Sequence, residues 1–244
     1  MDIELFIPCF IDKIYPNTAW NSKLLLEKAG CTVHYNPKQT CCGQPAYNSG
    51  YLKNTKKVAK KFIDSFKTNM PVVGPSGSCT GFVKRHYFKI FKDDVDINSK
   101  AIDFSNRVFE ITDFLVNHLQ FTQFDAYFPH RVTFHDSCSA LREYGIKLEP
   151  RTLLNEVEGL SLIEMKDSET CCGFGGTFSA KFDGIASAMT QQKVENAINT
   201  GAEYIVGTEA SCLMNIQAYI DKYQLPIRTI HIVDVLAQTK NKVH

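Results

Sequence analysis

Nine cysteines carry the reactive chemistry of this 244-residue chain, and eight of them form two sets with nearly the same internal spacing. In the first set, 31 residues separate Cys9 from the adjacent pair Cys41-Cys42, and 36 separate that pair from Cys79. In the second, 32 residues separate Cys138 from Cys171-Cys172, and 39 separate that pair from Cys212. Each pair runs directly into glycine, as TCCGQPA at 40–46 and TCCGFGG at 170–176. Converging thiolates favour a soft metal. Structural zinc usually draws on CxxC knuckles, and the chain contains none. Adjacent cysteines suit the neighbouring irons of a cluster instead. Gly43 and Gly173 let the backbone approach inorganic sulfide and offer N–H groups to sulfur. The expected cofactor is therefore an iron–sulfur cluster, [4Fe-4S] in type and one or two in number. Its ligands would be Cys9, Cys41, Cys42, Cys79, Cys138, Cys171, Cys172 and Cys212. Two alternatives stay open: a zinc-binding or assembly module, and a thiol–disulfide enzyme built on the vicinal pairs. Cys31, within CTVHY, stands apart and reads as a small buried hydrophobe.

The flanking residues repeat with the cysteines. NPKQTCCG (36–43) matches KDSETCCG (166–173), VVGPSGSC (72–79) matches IVGTEASC (205–212), and EITDFL (110–115) resembles HIVDVL (231–236). The order is the same in both halves, so the chain is read as two copies of one unit. The expected domains are 1–125 and 126–244. In the first, IELFIP (3–8), CTVHY (31–35) and PVVG (71–74) read as strands. NTAWNSKLLLEKAG (17–30) reads as a helix capped by Asn17 and ended by Gly30. YLKNTKKVAKKFIDSF (51–66) reads as another, with Leu52, Val58, Phe62 and Phe66 on its apolar face. In the second, RVTFH (131–135), LSLIE (160–164) and AEYIVG (202–207) are strands. FSAKFDGIASAMTQQKVENAINT (178–200) reads as one helix with Phe178, Phe182, Ile185 and Met189 inward. Such alternation implies an α/β fold: two homologous Rossmann-like lobes with parallel sheets, related by pseudo-twofold symmetry. The cysteines then follow the C-terminal ends of strands, the rim where open parallel sheets bind ligands.

Other functions are excluded by composition. Lys and Arg number 27 against 26 Asp and Glu, a net charge of +1, so no global field attracts nucleic acid or an acidic membrane. Lys53, Lys56, Lys57, Lys60 and Lys61 read as a solvated helix face. No apolar run reaches the roughly 18 residues of a membrane span. The opening MDIELFIPCF lacks the basic start of an export signal. A cytoplasmic protein with reduced thiols is expected. The chain has no GxGxxG after a strand and no C-x2-C-x2-C-x3-C-P run, so a second protein would have to carry the neighbouring redox centres.

These two cysteine sets resemble the duplicated cysteine-rich CCG domain family, and HDSC (135–138) is similar to the H-D-x-C that opens its second repeat. The resemblance spans almost the whole chain. The family includes heterodisulfide reductase and glycolate oxidase subunits and short lactate-utilization proteins, the form this chain resembles most. It implies an iron–sulfur electron-transfer subunit of an NAD-independent complex oxidising L-lactate to pyruvate. Two partner proteins would complete that complex, one with ferredoxin-type clusters. Some members hold zinc in one repeat, which makes zinc possible at one site here. The family pattern has five cysteines per repeat, ending in CxxC; this chain has Ser76 and Glu209 where the first cysteine of that pair would be. Four thiolates suffice for an ordinary cube, so the departure argues against non-cubane clusters and against disulfide reduction. His135 and Asp136 flank Cys138 as groups that could touch the ligands or handle protons, or else simply end a strand and cap a helix. Phe174-Gly175-Gly176 reads as a tight turn into a helix.

Overall fold

The computed structural model describes residues 1–240. Eight strands form two four-stranded sheets, every pairing parallel. The first contains β1 (Asp2–Leu5), β2 (Thr32–Tyr35), β3 (Val72–Gly74) and β4 (Val108–Glu110), in the order β2-β1-β3-β4. The second contains β5 (Arg131–His135), β6 (Ser161–Leu162), β7 (Tyr204–Gly207) and β8 (Arg228–His231), in the equivalent order β6-β5-β7-β8. Parallel neighbours need crossover connections, and helices supply them: Pro16–Lys28, Leu52–Asp64 and Gly77–Ile90 in the first lobe, Leu148–Asn155, Asp183–Ile198 and Ala210–Tyr223 in the second. The chain is thus an α/β protein of two similar lobes. Strand order reverses between β1 and β3, and again between β5 and β7. Those are the switch points at which such sheets open a ligand crevice. Among the described residues no helix is long and apolar enough to cross a membrane.

One apolar cluster joins the lobes. It runs from Ile3, Leu5, Ile111 and Phe114 to Val132, Phe134, Val206 and Ile232. A second, centred on Phe6, Phe62, Phe82 and Phe104, belongs to the first lobe, and a third, around Val194, Ile205, Ile216 and Ile220, to the second. The lobes are also tied by polar contacts. Thr18 and Asn21 donate to the Asp234 carboxylate at 2.6 and 2.8 Å.

Several local expectations are corrected. The first long helix begins at Pro16, whose fixed φ suits a first-turn position; Asn17 lies inside it and caps nothing. A short helix, Cys9–Ile14, follows β1, so Cys9 opens a helix. Leu52 is exposed, and the helix it starts buries Thr55, Ala59 and Phe62. The stretch 178–200 is broken at Phe182 (φ −132°, ψ 53°) into Thr177–Lys181 and Asp183–Ile198. Phe182 and Ile185 face outward, and the buried residues are Ala186, Thr190, Lys193, Val194 and Ala197. The cause is close approach: a Cβ on Gly173 would lie 2.3 Å from the Ala186 carbonyl oxygen, so this helix meets the CCG loop with its small residues. The short strands β4 and β8 carry too little pattern to be read in advance.

The helix Gly77–Ile90 packs across the lobe boundary. A Cβ on Gly77 would lie 2.4 Å from that of Ala140, and the Gly77 N–H donates to the Thr208 carbonyl at 3.4 Å. Overpacking a close contact of this kind costs about 1–3 kcal/mol. Gly77→Ala is expected to lower stability by that amount in chemical denaturation. Adding Ala140→Gly should recover part of the loss, which a double-mutant cycle would read as coupling between the two positions.

Candidate metal centre

All eight paired cysteines line one cavity of about 380 Å³ between the lobes. Each arrives from the rim that its sheet dictates. Cys9 and Cys138 follow the first strands β1 and β5, and the CC pairs follow β2 and β6. Cys79 and Cys212 lie in the first turn of the helices after β3 and β7. All are free thiols. Cys42 Sγ lies 3.5 Å from Cys79 Sγ. Cys31 is buried in the shared apolar cluster, away from the cavity.

The two CCG loops are built alike. Gly43 and Gly173 both adopt φ +91°, a left-handed conformation natural to glycine. That turn aims each glycine N–H at the first thiol of its pair: Gly43 to Cys41 Sγ and Gly173 to Cys171 Sγ, both at 3.4 Å. The second cysteine of each pair is anchored by its carbonyl. Tyr87 donates to Cys42 O at 2.7 Å, while Thr190 and Asn215 donate to Cys172 O at 2.8 and 3.0 Å. Phe10 and Phe174, one from each lobe, meet edge to face across the cavity wall at 5.8 Å. Gly175 and Gly176 (φ +51° and +62°) make the tight turn into Thr177–Lys181.

Ser76 and Glu209 also line the cavity, and they bind each other across the lobe boundary. Ser76 Oγ donates to Glu209 Oε2 at 2.9 Å, and the Ser78 N–H donates to the same oxygen at 2.9 Å. Ser76 accepts from the Cys79 N–H at 3.3 Å, and Glu209 Oε1 accepts from Ser211 Oγ at 3.0 Å. Each residue thereby caps the helix that carries its lobe's last cysteine. His135 ends β5, buried, with neither ring nitrogen hydrogen-bonded. A ring nitrogen of it and the Sγ atoms of Cys172 and Cys212 all lie within 4.8 Å of one another. Asp136 points elsewhere: it is neither a cap nor a neighbour of the cavity, but takes a bidentate pair from Arg151 at 2.9 and 2.8 Å.

The thiols share protons within each set. The Cys42 and Cys9 thiols donate to Cys41 and hold it down at about 3. Cys138 and Cys172 do the same for Cys171, held at about 2. Those hydrogen bonds and burial push Cys9, Cys42, Cys138 and Cys172 up. Cys212 is lowered to about 6, first by the Cys172 hydrogen bond and then, against the effect of burial, by His135.

The donor set fits a soft metal group: four sulfurs per lobe, backbone N–H groups aimed at sulfur, and a buried imidazole lacking an acceptor. Cys9, Cys41, Cys42 and Cys79 would hold one group, and Cys138, Cys171, Cys172 and Cys212 the other. Sequence reading missed the Ser76–Glu209 bridge. The only signal for it was that both departures from the five-cysteine pattern fall at matching positions.

Comparison with known proteins agrees with this arrangement. The family model for the CCG cysteine-rich domain matches twice, over residues 3–84 and 132–217. Lactate utilization protein A of Oceanobacillus iheyensis is 44% identical over 236 residues, covering 97% of this chain and 96% of the relative. That of an Exiguobacterium strain is 41% identical over 237 residues, covering 96% of each. Lactate utilization protein A 2 of Bacillus cereus is 38% identical over 242 residues, 99% of this chain and all of the relative. A hypothetical protein from Helicobacter pylori has a similar fold, with TM-score 0.59 at 12% identity; the match covers 96% of this chain and 48% of that one.

Thiolate ligation requires deprotonation, and the raised thiols of Cys9, Cys42, Cys138 and Cys172 hold their protons at neutral pH. Titrating the metal-free protein anaerobically with ferrous iron in weak buffer should therefore acidify the solution. The apparent affinity should rise as pH increases through neutrality. An indicator-dye measurement showing no proton release would contradict this thiol arrangement.

Proposed function

The chain belongs to the family of duplicated CCG cysteine-rich domains, and from that premise we propose that it is an iron–sulfur electron-transfer subunit of an NAD-independent complex that oxidises L-lactate to pyruvate. The observation that carries the reading is the convergence of eight thiols on one cavity between the lobes, taken with relatives named for lactate utilization over nearly their whole length. Two partner proteins complete the complex, one of them carrying ferredoxin-type clusters, and the chain works in the cytoplasm. A [4Fe-4S] cluster held by four thiolates supplies one-electron transfer.

The chain's own residues do the rest. The cysteines would hold the irons, and the Gly43 and Gly173 N–H groups, aimed at Cys41 Sγ and Cys171 Sγ, would tune the potential of the bound group. Phe10 and Phe174 narrow the cavity and limit water at the thiolates. Glu209 and Ser76 hold the two helix ends in register so that both sets face one space. With Ser76 and Glu209 engaged to each other and to backbone, no fifth sulfur is available in either lobe, which favours ordinary cubes over non-cubane clusters.

A second reading has one observation behind it. His135 with Cys172 and Cys212 forms a mixed nitrogen–sulfur group of the kind zinc accepts. Elemental analysis separates the two readings. Anaerobically purified or reconstituted protein is expected to contain iron and acid-labile sulfide in equal amounts. Cys41→Ser should lose part of both, while Cys31→Ala should keep all. Zinc without iron would establish the second reading. For the physiological role, cells lacking this chain should lose lactate-dependent dye reduction; an undiminished rate would refute the lactate assignment.

A further inference from the structure

The thiols occupy matching positions in the two lobes, but the groups behind them do not match. Setting Cys9 on Cys138 sets Phe6 on His135. A Cβ on Gly43 would lie 3.8 Å from the Thr55 carbonyl oxygen and one on Gly173 2.3 Å from that of Ala186, so Thr55 and Ala186 hold corresponding places, and seven residues further along Phe62 falls on Lys193. In the first lobe Phe6 and Phe62 meet edge to face at 4.8 Å, both fully buried. In the second, His135 and Lys193 fill those places, 1% and 0% exposed. An aromatic pair in one repeat is a pair of buried bases in the other.

Their surroundings give these bases one direction in which to act. Lys193 Nζ donates to the Asp167 and Ser168 carbonyls at 2.5 and 3.0 Å, in the loop that leads to Cys171; burial lowers its pKa, and Cys172, Asp136, Asp167 and Cys171, which it faces, act against that. Neither nitrogen of His135 has a partner, and the Sγ atoms of Cys172 and Cys212 are within its reach. The acids nearby do not cancel this. Asp136 is paired with Arg151, Asp167 is exposed to solvent, and Glu209 bonds into both lobes. Hydrogen bonds to sulfur and the net charge around a cluster set its reduction potential, and a buried charge acts through a low dielectric. Both changes stabilise the more negative, reduced state.

Resting on the iron–sulfur reading above, we propose that His135 and Lys193 make the second-lobe cluster the more readily reduced of the two, so that an added electron settles there rather than in the first lobe. His135 acts as an N–H donor to thiolate sulfur, which its neutral imidazole can do. The electron comes from the titrant, and no bond is broken.

The test is a mediated redox titration of the reconstituted protein followed by electron paramagnetic resonance. Two waves are expected, and Cys138→Ser should abolish the more positive one. His135→Phe, which installs the first lobe's residue, should move that wave to lower potential and leave the other in place. His135→Asn, which keeps an N–H donor, should recover part of the shift. Lys193→Met should act in the same direction and gives an independent readout if the histidine variant does not fold. Unmoved waves, equal shifts of both, or loss of the lower wave in Cys138→Ser would each overturn the proposal. So would a strong nitrogen hyperfine coupling showing His135 to be a direct ligand. Wild-type protein without iron or sulfide would defeat the functional reading itself, whereas clusters with unmoved potentials would defeat this inference alone.

Discussion

One buried carboxylate holds the arrangement together. Glu209 accepts hydrogen bonds from Ser76 and Ser78 of the first lobe and from Ser211 of its own. It therefore lies at the N-termini of both helices that carry the last cysteine of each set in their first turn. Helix N-termini present unpaired N–H groups and a partial positive charge, so two of them brought together need an anion or several caps. Glu209 provides both functions in one group. Beside it Gly77 comes so close to Ala140 that no Cβ fits. The lobes are fixed here, and the two rims of thiols are left facing one cavity.

Much of the site was legible in the sequence because it is written in a rare residue at a repeated spacing. The duplication, the three principal strands of each lobe and the rim positions of the eight cysteines all follow from that pattern and from strand–helix alternation, although Cys9, Cys79 and Cys212 sit in first helical turns rather than in loops. What was not legible depends on contacts between segments far apart in sequence. Asp136 looked like a neighbour of Cys138, but Arg151 takes it, fifteen residues on. Leu52, Phe182 and Ile185 looked like core by helical periodicity. Phe182 and Ile185 are exposed because Gly173 draws their helix in at Ala186, and Leu52 is exposed at the start of a helix that buries Thr55, Ala59 and Phe62. Ser76 and Glu209 read as two separate departures from a family pattern, and only the fold makes them partners.

Duplication set up two equal lobes, and the structure has made them unequal. The two CCG turns share the glycine φ of +91° and the glycine N–H aimed at the first thiol of the pair. The side chains packed behind those loops differ: Phe6 and Phe62 in the first, His135 and Lys193 in the second. A buried aromatic pair contributes packing and little field. Buried bases contribute charge and donors, at a desolvation cost that needs nearby acceptors. The loop carbonyls of Asp167 and Ser168 are those acceptors for Lys193, and the Sγ atoms of Cys172 and Cys212 lie within reach of His135. A symmetric scaffold with unequal surroundings is what directional electron movement requires.

Two four-thiolate clusters held in one cavity would lie close enough to sense each other. The most direct measurement is the electron paramagnetic resonance of the fully reduced, reconstituted protein. Magnetic coupling between the two clusters is expected to broaden the spectrum, which should collapse to a simple one-cluster signal in Cys41→Ser and in Cys138→Ser. Two independent, uncoupled signals in the wild-type protein, or none at all, would contradict it.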